Sequence, residues 1–372
     1  MSAIVNVPPA PFVPAPLPAS LRWEELIEGV GRASIALGSL KGGLASMVAP
    51  EILLESNQCN EAVMSSRIEG IHTSLESVLR SEAEESQESA SSANREVRNY
   101  ISAMRYAVDQ LKQKPMCLNL ILEMHRLLMA GTRGSDMAPG RFRTVQNYIA
   151  RLSARGHEVT YTPPSWKQVL PLMSDLERYY HAPERDRVVQ IAMIHAQFEI
   201  IHPFLDGNGR VGRMLIPLFL CEHLQMRAPV LNISSILDQK RDEYYTRLAA
   251  VTTDGDWTGW VSFFLHCIAD QAQADARKAE QVAVLYNELK VRLASTLRSA
   301  TVPQVLDLIF KHPVFTTPTF IAATRTSTTT ASRMLSAMVE AGVIKRIEQG
   351  HGRRRSVYEL SALLDIVRGP AA

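Results

Sequence analysis

Two uncharged apolar stretches, Val188–Phe198 and Met214–Cys221, stand on either side of a short, polar, glycine-rich segment. That arrangement constrains the fold more than any other feature of the chain. An apolar run with no charged face must be buried, in a protein core or in a membrane. Both stretches fall short of the roughly 18 apolar residues that a membrane span needs. They read as parts of two helices, one ending before His202 and one opening after it. The rest of the 372 residues is ordinary for a globular protein: 46% hydrophobic, 21% charged and 6% aromatic. Such a composition excludes a mostly disordered or collagen-like chain. At about 150 residues per domain the length suggests two or three domains. The net charge of +2 implies no partner by itself.

The N-terminus has no Lys or Arg before Arg22, and six of its first 20 residues are Pro. A secretory signal needs a basic start and an unbroken apolar run, so residues 1–20 read instead as an extended, polyproline-like arm. A cytoplasmic, non-membrane protein is the default expectation. Cys59, Cys117, Cys221 and Cys267 are far apart and form no C-x-x-C pair. They imply neither a disulfide framework nor a cysteine metal site.

Apolar residues at three- and four-residue spacing predict helices over Arg22–Leu37, Ile52–Val78, Glu96–Gln113, Asn119–Met129, Ser165–Tyr180, Glu184–Ile201, Val211–Gln225, Asp238–Val251 and Trp257–Asp270. The last of these is expected to run on as a charged linker helix to about Ala300. Ser81–Asn94 is acidic and Ser-rich and reads as a solvated loop. Val145–Tyr161 reads as a two-stranded hairpin stopped by Pro163-Pro164. Beyond residue 300 the pattern changes to helices over Pro303–Phe310, Thr317–Ala323 and Ser327–Ala341, then strands over Val343–Glu348 and Ser356–Leu360 around a basic tip, Gln349–Arg355. That order is the winged helix-turn-helix arrangement. Residues 301–372 hold nine Lys/Arg against five Asp/Glu. The expected fold is mainly α, with a small hairpin and a small β wing. The expected division is 1–95, 96–270, 271–300 as linker helix and 301–368 as winged-helix domain.

The chemistry concentrates in His202-Pro-Phe-Leu-Asp206-Gly207-Asn208-Gly209-Arg210-Val-Gly212-Arg213. Gly207 and Gly209 can turn backbone amides toward one spot at the start of the next helix, which makes an anion site. Arg210 and Arg213, three apart, can face the same anion. Asp206 offers a hard oxygen suited to Mg²⁺. His202 is the strong general base of the segment. Together these are parts for nucleophilic attack on a nucleotide phosphate. The spacing Gly207-x-Gly209-x-x-Gly212 also matches the dinucleotide fingerprint, but Pro203 breaks any strand before it and no βαβ pattern surrounds it.

At these residues the chain resembles the Fic family, whose signature HPFxxGNGRxxR, with Asp or Glu at the sixth position, is met at every specified position. The resemblance extends over Glu96–Asp270. It implies a helical core and transfer of AMP from ATP to a Ser, Thr or Tyr hydroxyl of a protein, the chain itself included. By position His202 would deprotonate the hydroxyl and Asp206 would hold Mg²⁺ on the α- and β-phosphates. Gly207, Asn208 and Gly209 would line the anion hole, with Arg210 and Arg213 on the phosphates. The hairpin would be a flap that docks the target segment as an added strand. Tyr244, with Tyr245 and Thr252 as weaker candidates, would flank the adenine.

The same resemblance gives meaning to Ser65-Ser66-Arg67-Ile68-Glu69-Gly70. Many members carry an inhibitory helix with the pattern [ST]xxxE[GN], which Ser65, Glu69 and Gly70 match. A carboxylate pairing with Arg213 would take the cation that the γ-phosphate needs. Alternatives remain open at this level: transfer of another phosphate-bearing group, removal of AMP, or a nucleotide-sensing DNA-binding regulator. A winged helix serves nucleic acid and protein partners alike. The target and the oligomeric state, for which a homodimer is compatible, are not specified.

Overall fold

Buried helices dominate, as the apolar spacing predicts. The computed structural model describes residues 9–46, 51–84, 91–132, 134–153, 156–350 and 355–369. Its elements in order begin with α1 (Ile27–Ser46), α2 (Glu51–Ile68), α3 (Leu75–Ala83), α4 (Ser92–Leu111) and α5 (Leu118–Leu128). The hairpin follows as β1 (Ile149–Ser153) and β2 (Gly156–Tyr161). Then come α6 (Trp166–His181), α7 (Arg187–Ile201), α8 (Asn208–His223), α9 (Ile233–Gln239), α10 (Arg241–Thr253) and α11 (Trp257–Leu297). The C-terminal run is α12 (Val302–Lys311), β3 (Val314–Thr316), α13 (Thr317–Thr324), α14 (Thr328–Glu340), β4 (Lys345–Glu348), β5 (Val357–Glu359) and α15 (Ser361–Arg368). Among the described residues no helix is long and apolar enough to cross a membrane.

The chain forms two compact units. One comprises Met1–Ile35, Ser102–Arg227 and Ile236–Ala269; the other comprises Ala36–Ile101, Ala228–Ser235 and Asp270–Ala372. These units interleave segments that a linear division keeps apart.

In the first unit α7 is the core. Every residue of α7 after Arg187 is buried, and α7 packs on α6, α8 and α10. Asp186 caps it, its Oδ1 accepting the N–H groups of Val188 and Val189 at 2.8 and 2.9 Å. Such a cap contributes about 1 kcal/mol. The hairpin is antiparallel, with Ala150 opposite Val159 and Ser153 opposite Gly156. Gly156 begins the second strand, and residues 154 and 155 lie outside the described set. The proline-rich arm runs beside this hairpin: the Phe12 N–H donates to Thr162 O at 3.0 Å, and Gln197 Nε2 donates to Ala15 O at 2.9 Å.

In the second unit α2 packs on α3, α12 and α15, and α3 packs on β3 and α15. The segment 228–235 is fastened there by polar side chains. Ser234 N–H donates to Glu61 Oε2 at 3.0 Å, and Asn232 N–H donates to Asp275 Oδ2 at 2.8 Å. A three-stranded antiparallel sheet has the order β3-β5-β4.

Several expected boundaries move for identifiable reasons. The single helix expected over Ile52–Val78 is two, because Gly70 takes φ +78° and Ser74 caps α3 through its hydroxyl to Ser77 N–H at 3.1 Å. The loop expected over Ser81–Asn94 is helical at both ends, since α3 runs to Ala83 and Ser91 Oγ accepts the Asn94 N–H at 3.2 Å where α4 starts. Residues 85–90 of it lie outside the described set. The strand β3 and helix α15 were not expected from the sequence; three and eight residues are too short to show a period. The long extension of the helix from Trp257 is present, ending at Leu297.

Candidate active site

The left-handed residue between α7 and α8 sets the site. α7 ends where His202 adopts φ 50°, ψ 60°, its N–H still bonded to Phe198 O at 2.9 Å. An L-residue in that conformation costs roughly 1–2 kcal/mol and needs support from its surroundings. Arg143 supplies much of it. Its side chain is buried, and its guanidinium donates to the carbonyls of His202 (3.0 Å), Val145 (3.3 Å), Ile201 (3.4 Å) and Pro164. Its own N–H donates to Pro203 O at 2.9 Å. Asn147 Nδ2 donates to Phe204 O at 3.0 Å and His202 O at 3.4 Å. Burial pulls the Arg143 pKa down to about 10, so it remains a cation at neutral pH.

The His202 ring is half-buried, with Nδ1 3.3 Å from Glu199 O. A carbonyl can only accept, so that contact places the proton on Nδ1 and the basic lone pair on Nε2.

Asp206, Gly207 and Asn208 shape the turn into α8. Gly207 takes φ +77°, and its N–H is held by Asp206 Oδ1 at 2.6 Å. Asn208 closes the loop on itself. Its Oδ1 accepts the Phe204 N–H at 2.8 Å and its Nδ2 donates to Phe204 O at 2.8 Å. The Asn208 side chain is thus engaged in the loop, leaving its backbone at the helix start. The first N–H groups of α8 have no partner within the helix and point at the mouth of the turn. Arg210, 2% exposed, lies with Nη2 3.8 Å from Asp206 Oδ1, and Arg213 is fully buried. The Asp206 carboxylate is half-exposed at the mouth, 42% by side chain. Gly212 permits the close approach of α7: a Cβ there would stand 3.1 Å from Phe198 Cδ1.

His125 on α5 is a second support that the sequence did not single out. Its Nδ1 accepts the Gly140 N–H at 2.9 Å, so Nε2 carries the proton and donates to Asp206 O at 3.0 Å. The ring stacks on Phe204, centroids 3.8 Å apart and planes 10° from parallel. Burial lowers its pKa to about 4, which keeps it neutral. His125 sits between Glu123 and Arg126, and Arg143 between Phe142 and Thr144, so neither stands out from its neighbours in the sequence.

The residues expected to flank a base separate. Tyr244 is 1% exposed, and its hydroxyl meets His195 Nε2 at 3.0 Å. His195 Nδ1 faces Gly212 O at 3.1 Å and must donate there, so Tyr244 is the donor to Nε2. Burial drives the His195 pKa down to about 3, with the Arg213 charge adding to the effect. Tyr244 therefore ties α10 to α7 and α8 from inside the core. Tyr245, its ring 5.0 Å away, is 44% exposed. Thr252 is half-buried and bonds back to Ala249 O at 2.9 Å. Ser65 and Glu69 belong to the other unit, at the end of α2. Ser65 is buried. Glu69 is exposed in the closing turn, its N–H on Ser66 O at 3.1 Å, before Gly70.

Residues 115–220 match the sequence model of the Fic/DOC family, and residues 27–109 match that of the Fic/DOC family N-terminal region. Curated relatives include the protein adenylyltransferase Fic of Drosophila grimshawi, 31% identical over 172 residues, and that of Drosophila melanogaster, 33% identical over 172 residues. Each alignment covers 44% of this chain and 31% of the relative, so the chain spans about a third of the relatives' length. Among solved structures, a Fic family protein from Desulfovibrio desulfuricans has a TM-score of 0.59 at 21% identity, covering 94% of this chain and 98% of that one. A Fic domain containing signaling protein from Bacteroides thetaiotaomicron has a TM-score of 0.50 at 18% identity, covering 68% of this chain and 97% of its own. These two likenesses speak to the fold.

Proposed function

The chain belongs to the Fic/DOC family, and on that premise we propose that it is a protein adenylyltransferase, moving AMP from ATP to a Ser, Thr or Tyr hydroxyl of a protein, itself included. The observation that carries the reading is the setting of His202. Its backbone is held left-handed at the mouth of a helix N-terminus, and its Nδ1 contact leaves Nε2 basic. In the proposed step Nε2 takes the proton of the target hydroxyl. The freed oxygen attacks the α-phosphorus, the bond to the bridging oxygen on the β side breaks, and pyrophosphate leaves. The amides of Asn208 and Gly209 and the guanidinium of Arg210 sit where charge on those phosphates would be stabilised, whereas the Gly207 amide is held by Asp206 Oδ1. The Asp206 carboxylate, one hard oxygen donor at the mouth, fits Mg²⁺, which when bound would neutralise phosphate charge. For the adenine, the exposed ring of Tyr245 is better suited than the buried Tyr244.

Glu69 is assigned as the brake, competing with the γ-phosphate for Arg213. Its position supports a role other than stability. It follows the C-terminus of α2, where the helix dipole disfavours a carboxylate by about 0.3–1 kcal/mol. The run from α12 to β5 is assigned as a winged helix that contacts protein. The exposed face of α14 offers Thr328, Thr329, Ser332 and Arg333, a sparse set for reading bases. Of the basic tip, Arg353 and Arg354 lie outside the described residues.

ATP labelled at the α- or the γ-phosphate tests the whole reading. Wild type, Glu69→Gly, and Glu69→Gly with His202→Ala are incubated with each, and label on protein is counted. Label from the α position alone, strongest in Glu69→Gly and absent in the double variant, is expected. Label from the γ position would replace AMP transfer with phosphoryl transfer. No label in any variant that binds ATP, together with a DNA mobility shift indifferent to His202→Ala, would favour a nucleotide-sensing regulator.

A further inference from the structure

Three side chains with metal-ligating atoms converge at the far end of α8 from the glycine turn. His181 closes α6, and Glu222 and His223 close α8. One ligand atom from each lies within 4.8 Å of the other two. α8 is 16 residues long, so this cluster is some ~22 Å along the helix from Gly207 and separate from Asp206.

Each member is already held by an outer partner. His181 Nε2 is 2.8 Å from Met116 O; the carbonyl can only accept, so that nitrogen is the donor and Nδ1 keeps its lone pair. Glu222 accepts the Tyr180 hydroxyl at 3.1 Å on one oxygen and the Met116 N–H at 3.4 Å on the other. The His223 ring is set by Phe219 and Tyr180, with centroids 4.2 and 5.2 Å away. Its Nε2 is buried and has no hydrogen-bond partner. A buried ring nitrogen without a partner is costly unless it serves a ligand. An imidazole donating its other N–H to a carbonyl and a carboxylate fixed by hydrogen bonds are the usual outer shell of a metal centre. The neighbouring cation, Arg187, is occupied elsewhere, by Ala182 O at 2.9 Å and by Gln190 Oε1.

We propose that His181, Glu222 and His223 bind one divalent transition metal ion, with Zn²⁺ as the fitting occupant. Two imidazoles and a carboxylate match Zn²⁺ and its neighbours, whereas Mg²⁺ prefers oxygen donors and its own waters. Zn²⁺ arms of ~2.0–2.2 Å bring tetrahedral ligand atoms to roughly 3.4 Å apart, so atoms now within 4.8 Å close by at most about 1.4 Å on binding. His181 is exposed at a helix end and can make that movement. A fourth position remains for water. The ion would join the C-terminal ends of α6 and α8. Through the Met116 hydrogen bonds it would also hold the chain entering α5.

The full chain without nucleotide, stripped by chelator, is titrated with Zn²⁺, Mg²⁺ and, as a spectroscopic probe, Co²⁺. Expected are one equivalent of Zn²⁺ by equilibrium dialysis, a rise in melting temperature that Mg²⁺ does not reproduce, and the visible bands of four-coordinate Co²⁺. His181→Ala removes an exposed side chain and should abolish all three signals while keeping the fold. Tyr180→Phe removes one outer hydrogen bond and should weaken binding about 10- to 100-fold. Asp206→Ala should change none of them. Failure of wild type to bind Zn²⁺ and Co²⁺, binding unchanged in His181→Ala, or binding lost in Asp206→Ala would overturn the site.

Discussion

Replacing Arg143 by Met tests how the proposed base, His202, is held. The guanidinium is 2% exposed and reaches four carbonyls, among them His202 O at 3.0 Å. A hydrogen bond from a charged donor contributes about 1.5–3 kcal/mol. The contacts to Val145 O and Ile201 O are long, at 3.3 and 3.4 Å, so the loss of stability is about 4–7 kcal/mol, a figure already net of the donor's desolvation. That is a large share of a domain's stability, so the folded fraction is fixed by a melting curve before kcat is compared. Catalysis should suffer within that folded fraction. The left-handed backbone of His202 loses its clamp, and a misplacement of ~1 Å at a reacting group costs about 10²-fold. The assay is α-labelled AMP incorporation in a Glu69→Gly background, with the ATP dissociation constant measured separately. A roughly 100-fold fall in kcat with ATP affinity kept within a few fold is expected, since Gly207–Arg213 is untouched. Arg143→Lys should fall between, because an ammonium cannot reach four acceptors as a planar fork does. A folded Arg143→Met protein with kcat within threefold of its parent would refute this account. So would an ATP dissociation constant that rises by the same factor as kcat falls.

Gly207→Ala places an L-residue at φ +77° with its Cβ 3.0 Å from Met129 Sδ; a loss of about 1–2 kcal/mol in stability and weaker ATP binding are expected by calorimetry. Tyr244→Phe should cost about 1 kcal/mol of stability and leave ATP affinity unchanged, whereas Tyr245→Ala should weaken ATP binding without lowering the melting temperature; the reverse pattern would restore Tyr244 to the base. Acid should destabilise the first unit in a defined window. Burial holds His125 at about 4 and His195 at about 3 in the folded state, below the unfolded value of about 6.5. Their stabilising contribution is therefore complete above pH ~6.5 and is lost as pH falls toward ~4, because the unfolded chain binds those protons first. Denaturant midpoints measured from pH 7 to 4 should fall over that window, and less steeply in a His125→Phe variant.

The sequence reveals the site's contiguous part and hides its scaffold, for a physical reason. His202 to Arg213 holds an imidazole, a carboxylate, glycines and two cations within twelve residues, so the proposed chemistry can be framed from their types and spacing alone. His125, Arg143 and Asn147 act through backbone carbonyls and amides far along the chain, and carbonyls leave no mark in a sequence. Asn208 illustrates the limit inside the motif: its type suggests ligand contact, yet both side-chain atoms close the loop on Phe204. Tyr244 and Tyr245 show another. Adjacent on α10, they differ by burial alone, 1% against 44% exposed, and a sequence shows which residues are aromatic but not which way the helix turns.

The second unit joins two features that lie at opposite ends of the chain. α2, which ends just before Glu69, packs on α12 and α15, and α3 packs on β3. The same seam carries ion pairs between Arg80 and Glu348 and between Arg368 and Glu76. These pairs are half-exposed and contribute little each, ~0–1 kcal/mol. The apolar burial around them matters more: Cys59, Ala62, Val63 and Ile68 on α2 are all under 10% exposed, as are Leu363, Leu364 and Val367 on α15. Deleting residues beyond 300 would uncover that face of α2 at about 25 cal/mol per Å² of apolar surface. It would unsettle the helix that leads into Glu69 while removing everything from α12 to α15. A truncated chain with raised AMP transfer would therefore report on the seat of α2 and not on a lost DNA contact. Charge reversal at the seam, Glu348→Arg, is the cleaner perturbation, because it leaves the apolar face covered.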